Sequence, residues 1–250
     1  CLYGTPALPG NYEVSLMISD NNHSTYQDFT IVVDEPLSGS WEYVGPRGFS
    51  QNPFQVFGIK RDNDGNLYIF GNQSNTPVLY KNASGTDTWE QMGSINTGCS
   101  VSAGGMDVSS NGDVYVAYSD QSDAGHAFKW DGNQWTNIGS AFSSVETHIV
   151  LDNNDLPYLV ARDVSQNYIG VVFKLENDSW MPLSGTGVYA PSNEYACHQE
   201  LVFGSNNTPY IAYADYMASN LLKVRKFEYG EWTLVGNGID NIYFYQSLAL

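Results

Sequence analysis

Apolar and polar residues alternate with a period of two through much of the chain. Tyr12, Val14, Leu16 and Ile18 alternate with Glu13, Ser15, Met17 and Ser19, the pattern of a half-buried strand. Asp20-Asn21-Asn22 carries turn chemistry, and Phe29, Ile31 and Val33 alternate again. Residues 1–34 are therefore predicted to end in a β-hairpin, a unit that is marginal alone in water. A polar linker over 35–40 follows.

From there the pattern repeats. Trp41, Trp89, Trp135, Trp180 and Trp232 are 48, 46, 45 and 52 residues apart, and each opens a short segment ending near a glycine: WEYVG, WEQMG, WTNIG, WMPLSG and WTLVG. Tyr68, Tyr115, Tyr158 and Tyr210 precede the following Trp by 20 to 22 residues, and Lys81, Lys129, Lys174 and Lys226 precede it by six to eight. Each unit reads as four strands. Strand A is the apolar run at Val56–Arg61, Met106–Val108, His148–Leu151 and Glu200–Phe203; strand B carries the Tyr, strand C the Lys and strand D the Trp. Four antiparallel strands in roughly 40–50 residues is the spacing of a β-propeller blade.

The expected fold is therefore all-β: a β-propeller over 41–250 with blades at 54–93, 101–139, 146–184 and 198–236, and a partial fifth from 243. A blade buries both faces against neighbours, so an open stack leaves apolar surface wet. Four units and an orphan strand do not obviously close. The expectation is a truncated propeller whose chain continues past Leu250 and begins before Cys1. The repeated Trp and Tyr are expected to pack between blades, and the Lys stems to lie over apolar surface with their ammonium groups in water.

Two resemblances extend this reading. The residues Gly4-Thr5-Pro6, Gly10, Tyr12, Val14, Leu16, Ser19-Asp20, Gln27, Phe29, Ile31 and Val33 resemble the last strands of the immunoglobulin-like domains of bacterial surface proteins, related to dystroglycan-type cadherin-like domains. The resemblance implies an N-terminal Ig-like β-sandwich fragment. Cadherin-like relatives often hold calcium between domains. Here Asp34-Glu35-Pro36 stands at the junction without the fuller acidic motif, so no cofactor is expected, with calcium at this linker as the alternative. The Trp/Tyr/Lys repeat resembles the β-propeller repeats of large exported Bacteroidetes-like proteins. That resemblance implies a secreted or cell-surface bacterial protein.

Composition narrows the function classes. The net charge is −17, from 27 acidic and 10 basic residues. Nucleic-acid binding needs a basic footprint, which is missing, and no apolar run approaches the roughly 20 residues of a membrane helix. Three cysteines, Cys1, Cys99 and Cys197, match no zinc spacing, and are read as buried or free thiols or a Cys99–Cys197 disulfide. The sialidase arginine cluster and Asp-box turn are not reproduced by Arg47, Arg61, Arg162 and Arg225.

In a propeller the D–A and B–C loops share one face, where function escapes the packing constraint. Asp120, Asp163 and Asp215 begin three B–C loops at equivalent positions. The longest D–A loop carries Tyr189, Glu194, Tyr195 and His198, and the last carries Tyr243 and Tyr245. Aromatic rings beside carboxylates and amides suit a neutral sugar: its C–H face packs on the ring and its hydroxyls pair with the polar groups. The alternative for the aspartates is turn capping. His148 and His198 near Glu146 and Glu200 would make a metal site or an acid–base pair, against satisfied axial polar residues, and no catalytic or metal residue is assigned. The leading expectation is a non-catalytic binding or adhesion module for a glycan or a surface protein. The alternatives are a glycoside hydrolase or lyase working in the axial cleft, and an architectural segment recognised by export machinery.

Overall fold

The computed structural model describes residues 10–19, 24–33, 42–46, 48–50, 52–93, 95, 101–183, 185–190, 194–239 and 248. The chain divides into two compact units, 1–44 and 45–250. In the first, β1 (Gly10–Ser19) and β2 (Ser24–Val33) pair antiparallel from Gly10↔Val33 to Ser19↔Ser24. This is the hairpin that the alternation predicts. The linker 35–40, Trp41, Cys1, Cys99 and the fifth repeat's residues 240–247 lie outside the described residues.

The second unit contains four antiparallel four-stranded repeats in sequence order, the second and third joined edge to edge into one nine-stranded sheet. Repeat one is β3 (Phe54–Arg61), β4 (Leu67–Gln73), β5 (Thr76–Asn82) and β6 (Trp89–Gln91). Repeat two is β7 (Val101–Val108), β8 (Val114–Asp120), β9 (Ala124–Trp130) and β10 (Trp135–Asn137). Repeat three is β11 (Phe142–Leu151), β12 (Pro157–Asp163), β13 (Ile169–Glu176) and β14 (Ser179–Pro182). After the short β15 (Val188–Ala190), repeat four is β16 (Ala196–Phe203), β17 (Pro209–Asp215), β18 (Leu221–Glu228) and β19 (Glu231–Leu234). Among the described residues there is no α-helix, only two single 3₁₀ turns at Val164–Gln166 and Tyr216–Ala218.

Three of the innermost strands start four to six residues earlier than the pattern predicts, at Val101, Phe142 and Ala196. Their registers are broken at Val101/Ala103, Val145/His148 and Cys197/Glu200. A bulge inserts residues that do not alternate, so the period of two is visible only beyond it. The unpredicted β15 pairs with β13. Phe142-Ser143 pair with β9 and Ile239 with Leu222 in the same way, so three D–A connections run back along strand C of the repeat they have just left.

Successive innermost strands pack β3 on β7, β7 on β11 and β11 on β16. Among the described residues, β16 and β3 are not packed in the same way, and the sheets do not close. The core is three layers between consecutive sheets. Tyr68, Phe70 and Leu79 meet Met106, Val116 and Tyr118. Tyr115 and Ala127 meet Ile149 and Leu159. Tyr158, Val160 and Val172 meet Leu201, Ile211 and Tyr213. Each such side chain contributes about 1.5–3 kcal/mol when fully buried. Strands β8 and β12 are buried at every residue, because a second strand is covered on both faces.

The repeated residues have structural roles. Tyr68, Tyr115, Tyr158 and Tyr210 stand directly opposite Lys81, Lys129, Lys174 and Lys226 across the B–C pair. Lys81 and Lys129 place their ammonium groups 5.4 and 5.5 Å from the Tyr68 and Tyr115 ring centres, a favourable cation–π arrangement. The glycine that ends one strand D is the seat of the next repeat's Trp. A Cβ on Gly45 would fall 2.9 Å from Trp89, and one on Gly139 would fall 2.4 Å from Trp180.

Candidate functional site

The bulges on β11 and β16 shape the site. Glu146 and His198 hold the bulge positions, both with φ +52°. Left-handed backbone is unusual away from glycine and collects at functional positions. Counting from the conserved register of the Tyr positions within this chain, Glu146 is equivalent to His198, and to Val56 and Ala103 in the first two repeats. His148 is likewise equivalent to Glu200, Gly58 and Gly105. Glu146, His148, His198 and Glu200, with Val56 and Ala103 opposite, line a cavity of about 630 Å³ between the innermost strands. Its wall is uncharged in repeats one and two, where Phe57 and Ala103 stand beside Gln55 and Ser102, and ionisable in repeats three and four. The imidazole of His148 lies where a Cβ on Gly105 would be, 2.9 Å from Nδ1, so the glycine makes room for the ring.

The ionisable wall is held in place. Glu146 Oε1 lies 3.3 Å from Arg162 Nη1, and Oε2 accepts the backbone N–H of His198 at 3.2 Å. Gln199 Nε2 donates to the Glu146 carbonyl at 2.5 Å. His198 Nε2 is 3.1 Å from Tyr216 Oη. Glu200 Oε2 accepts the backbone N–H of Leu248 at 2.7 Å. Burial holds His148 below the ordinary histidine range, with His198 adding to the effect and Glu146 opposing it. Among the described residues, no group of three or more His, Cys, Asp or Glu is arranged to hold a metal ion.

A roof of aromatic rings adjoins this cavity. Arg162 is 4% exposed. Its guanidinium carbon lies 4.0 Å from the Tyr195 ring centre and 5.2 Å from that of Tyr168. Tyr195 stacks on Tyr216 with 6.0 Å between centres and 14° between planes. Tyr195 and Tyr168 remain 40% and 37% exposed. Arg162 Nε and Nη2 are buried without a hydrogen-bond partner. Because Tyr216 reaches His198, roof and cavity are joined through one hydrogen bond.

The other residues singled out from sequence sit as follows. Asp120 accepts the backbone N–H groups of Ser122 and Ala124 and pairs with His126 at 3.0 Å. Asp163 caps the 3₁₀ turn after β12 and also accepts from Ser165 Oγ and Gln166 Nε2. Asp215 caps the turn after β17 and pairs with Lys223 at 2.8 Å. Burial alone would raise Asp215, but the Lys223 ammonium and the capped N–H groups hold it below the usual carboxylate range. Glu194 is tied to Lys223, Arg225 and Tyr213. Tyr189 is 1% exposed and packs edge-on against Tyr213. Tyr195 and His198 join the roof and cavity, while Tyr243 and Tyr245 lie outside the described residues.

Arg162, Tyr168, Gln199 and Tyr216 were not reached from sequence. Arg162 had a signal: it stands where PYIAYAD has Ala214 and VYVAYSD has Ser119, a lone cation at a small-residue position.

No protein-family model and no curated protein matches the chain. Solved structures do. The SapL1 lectin in complex with α-methyl fucoside aligns with TM-score 0.57 and 14% identity, over 78% of this chain and 66% of that one. The chain thus spans just under two thirds of that lectin's length. The fucose-specific lectin from Aleuria aurantia aligns at 0.53 and 15%, over 91% and 74%. The endo-arabinase from Bacteroides thetaiotaomicron aligns at 0.51 and 11%, over 80% and 85%. At these identities the likeness is one of fold: an all-β, propeller-type arrangement shared with lectins and glycoside hydrolases alike.

Proposed function

We propose that the chain is a non-catalytic glycan-binding module, and that the ligand lies on the aromatic roof of repeats three and four. One observation carries this reading: two half-exposed tyrosines lie over the guanidinium of a buried arginine. A sugar offers a C–H face for the rings and hydroxyls for their phenol groups, and the guanidinium stacked beneath holds the rings in place. The module belongs to a secreted or cell-surface bacterial protein, with the β1–β2 hairpin as the end of an Ig-like domain. No cofactor is needed for this role. The test is a glycan array with the labelled chain, comparing Tyr195→Ala and Tyr168→Ala. Loss of about tenfold or more in affinity in both, with unfolding unchanged, supports the roof. Binding that ignores both rings refutes it.

The second reading is a glycosidase, favoured by Glu146 and Glu200 lining one cavity with two histidines, since glycoside hydrolysis uses a pair of carboxylates. Release of a chromophore from aryl glycosides that Glu200→Gln abolishes would establish it in place of the binding module.

A further inference from the structure

We propose that the axial cavity is a second binding site, separate from the roof, for a ring-sized ligand bearing a protonated amine, with amino sugars as the class that fits. The cavity's volume of about 630 Å³ suits a small organic molecule and exceeds what a bare ion requires. Its ionisable wall presents acceptors. The carboxylates of Glu146 and Glu200 line it, and Gln199 lines it beside them while being only 4% exposed.

Gln199 points to a ligand. Its Nε2 donates to the Glu146 carbonyl, which fixes the orientation of the amide. Its Oε1 is then left buried without a donor. Buried polar groups are almost always hydrogen-bonded, so the cavity calls for a molecule that brings N–H or O–H groups. The opposite wall is uncharged: Val56, Phe57 and Ala103 offer apolar surface, and Gln55 and Ser102 stand beside them. A ligand matching both walls brings donors to the ionisable side and a mainly C–H face with a hydroxyl to the other.

Charge favours a cation. The chain carries −17, and a cleft of one sign concentrates ligands of the other. His148, faced by Glu146, His198 and the backbone of Gly105, is held neutral by burial near neutral pH, and Arg162 pairs with Glu146 at 3.3 Å, so the attraction for a cation rests on Glu200. The His and Glu groups do not converge on a metal-binding geometry, which leaves an organic cation as the occupant.

The experiment is calorimetric titration of the 250-residue chain at neutral pH with D-glucosamine, N-acetyl-D-glucosamine and D-glucose, which share one ring and differ at the nitrogen. Glucosamine is expected to bind about tenfold or more tighter than either neutral analogue, and Glu200→Gln and Gln199→Met are each expected to remove about that preference. Equal binding of the three sugars, no heat up to about 10 mM, or a preference untouched by both variants overturns the proposal. Should a variant fail to fold, the sugar series on the unaltered chain decides alone. The roof is tested by Tyr195 and Tyr168 on neutral glycans, so either site can fail without the other.

Discussion

The indole Nε1 of Trp135 donates a 2.9 Å hydrogen bond to the carbonyl of Met92, one repeat earlier in the chain. Trp180 does the same to Ile138 at 3.1 Å. In repeat four the insertion Ser184-Gly185-Thr186-Gly187 lengthens the connection, and the Nε1 of Trp232 is buried without a partner. The three rings lose similar packing when replaced by phenylalanine, but only two lose a hydrogen bond, worth about 1 kcal/mol net. Trp135→Phe and Trp180→Phe are therefore expected to destabilise the chain by about 1–2 kcal/mol more than Trp232→Phe, where an unsatisfied donor is removed. Urea unfolding of the three variants measures the difference.

Two of the glycines that end strand D, one beneath a Trp ring and one not, make a matched pair. Gly139 has φ +69° and a Cβ there would meet Trp180 at 2.4 Å, whereas Gly185, φ +81°, has open space around it. Gly139→Ala combines left-handed strain with overpacking and is expected to cost about 2–4 kcal/mol. Gly185→Ala carries the backbone cost alone, about 1 kcal/mol. Thermal unfolding midpoints in the same order would confirm that the glycine at the end of strand D is a seat for the next repeat's Trp and not only a turn residue.

The same repeat explains what the chain reveals before folding. A residue needed at every sheet interface recurs, so Trp, Tyr, Lys and the closing glycine show through the sequence, and the second, third and fourth strands can be placed from them. The site lies where the repeat breaks. Glu146 and His198 occupy one register position but share no chemistry, and their bulges erase the alternation that would have marked the strand. Arg162 is visible only as an exception to Ser119 and Ala214. The stacking of Tyr195 on Tyr216 joins residues that two strands separate, which no local pattern encodes.

Asp163 separates capping from ligand binding. It accepts from Ser165 N at 2.9 Å, Ser165 Oγ at 2.6 Å and Gln166 Nε2 at 2.7 Å. Loss of such a cap costs about 1–2 kcal/mol, and asparagine replaces aspartate at a cap with little penalty. Asp163→Ala is expected to lower stability by that amount, Asp163→Asn by less than about 0.5 kcal/mol, and neither to change glycan affinity measured on the folded protein. A loss of affinity in Asp163→Asn without loss of stability would place this carboxylate among the ligand contacts instead.

His148 links the cavity to pH. Burial depresses its folded-state pKa, His198 acts in the same direction, and Glu146 opposes both. An unfolded histidine takes up its proton near pH 6.5, whereas the folded one stays neutral to lower pH. The unfolded state then binds more protons, so stability is complete above about pH 6.5 and falls as the pH drops toward the folded value. Asp62 and Asp215, both held low, add a second loss only below about pH 4, the ordinary carboxylate range. The urea midpoint is therefore expected to decline between about pH 7 and 5, and His148→Asn to flatten that decline while leaving the acid limb intact. A midpoint that stays level across this window in the unaltered chain, or falls equally in His148→Asn, would show that His148 is not the group that titrates.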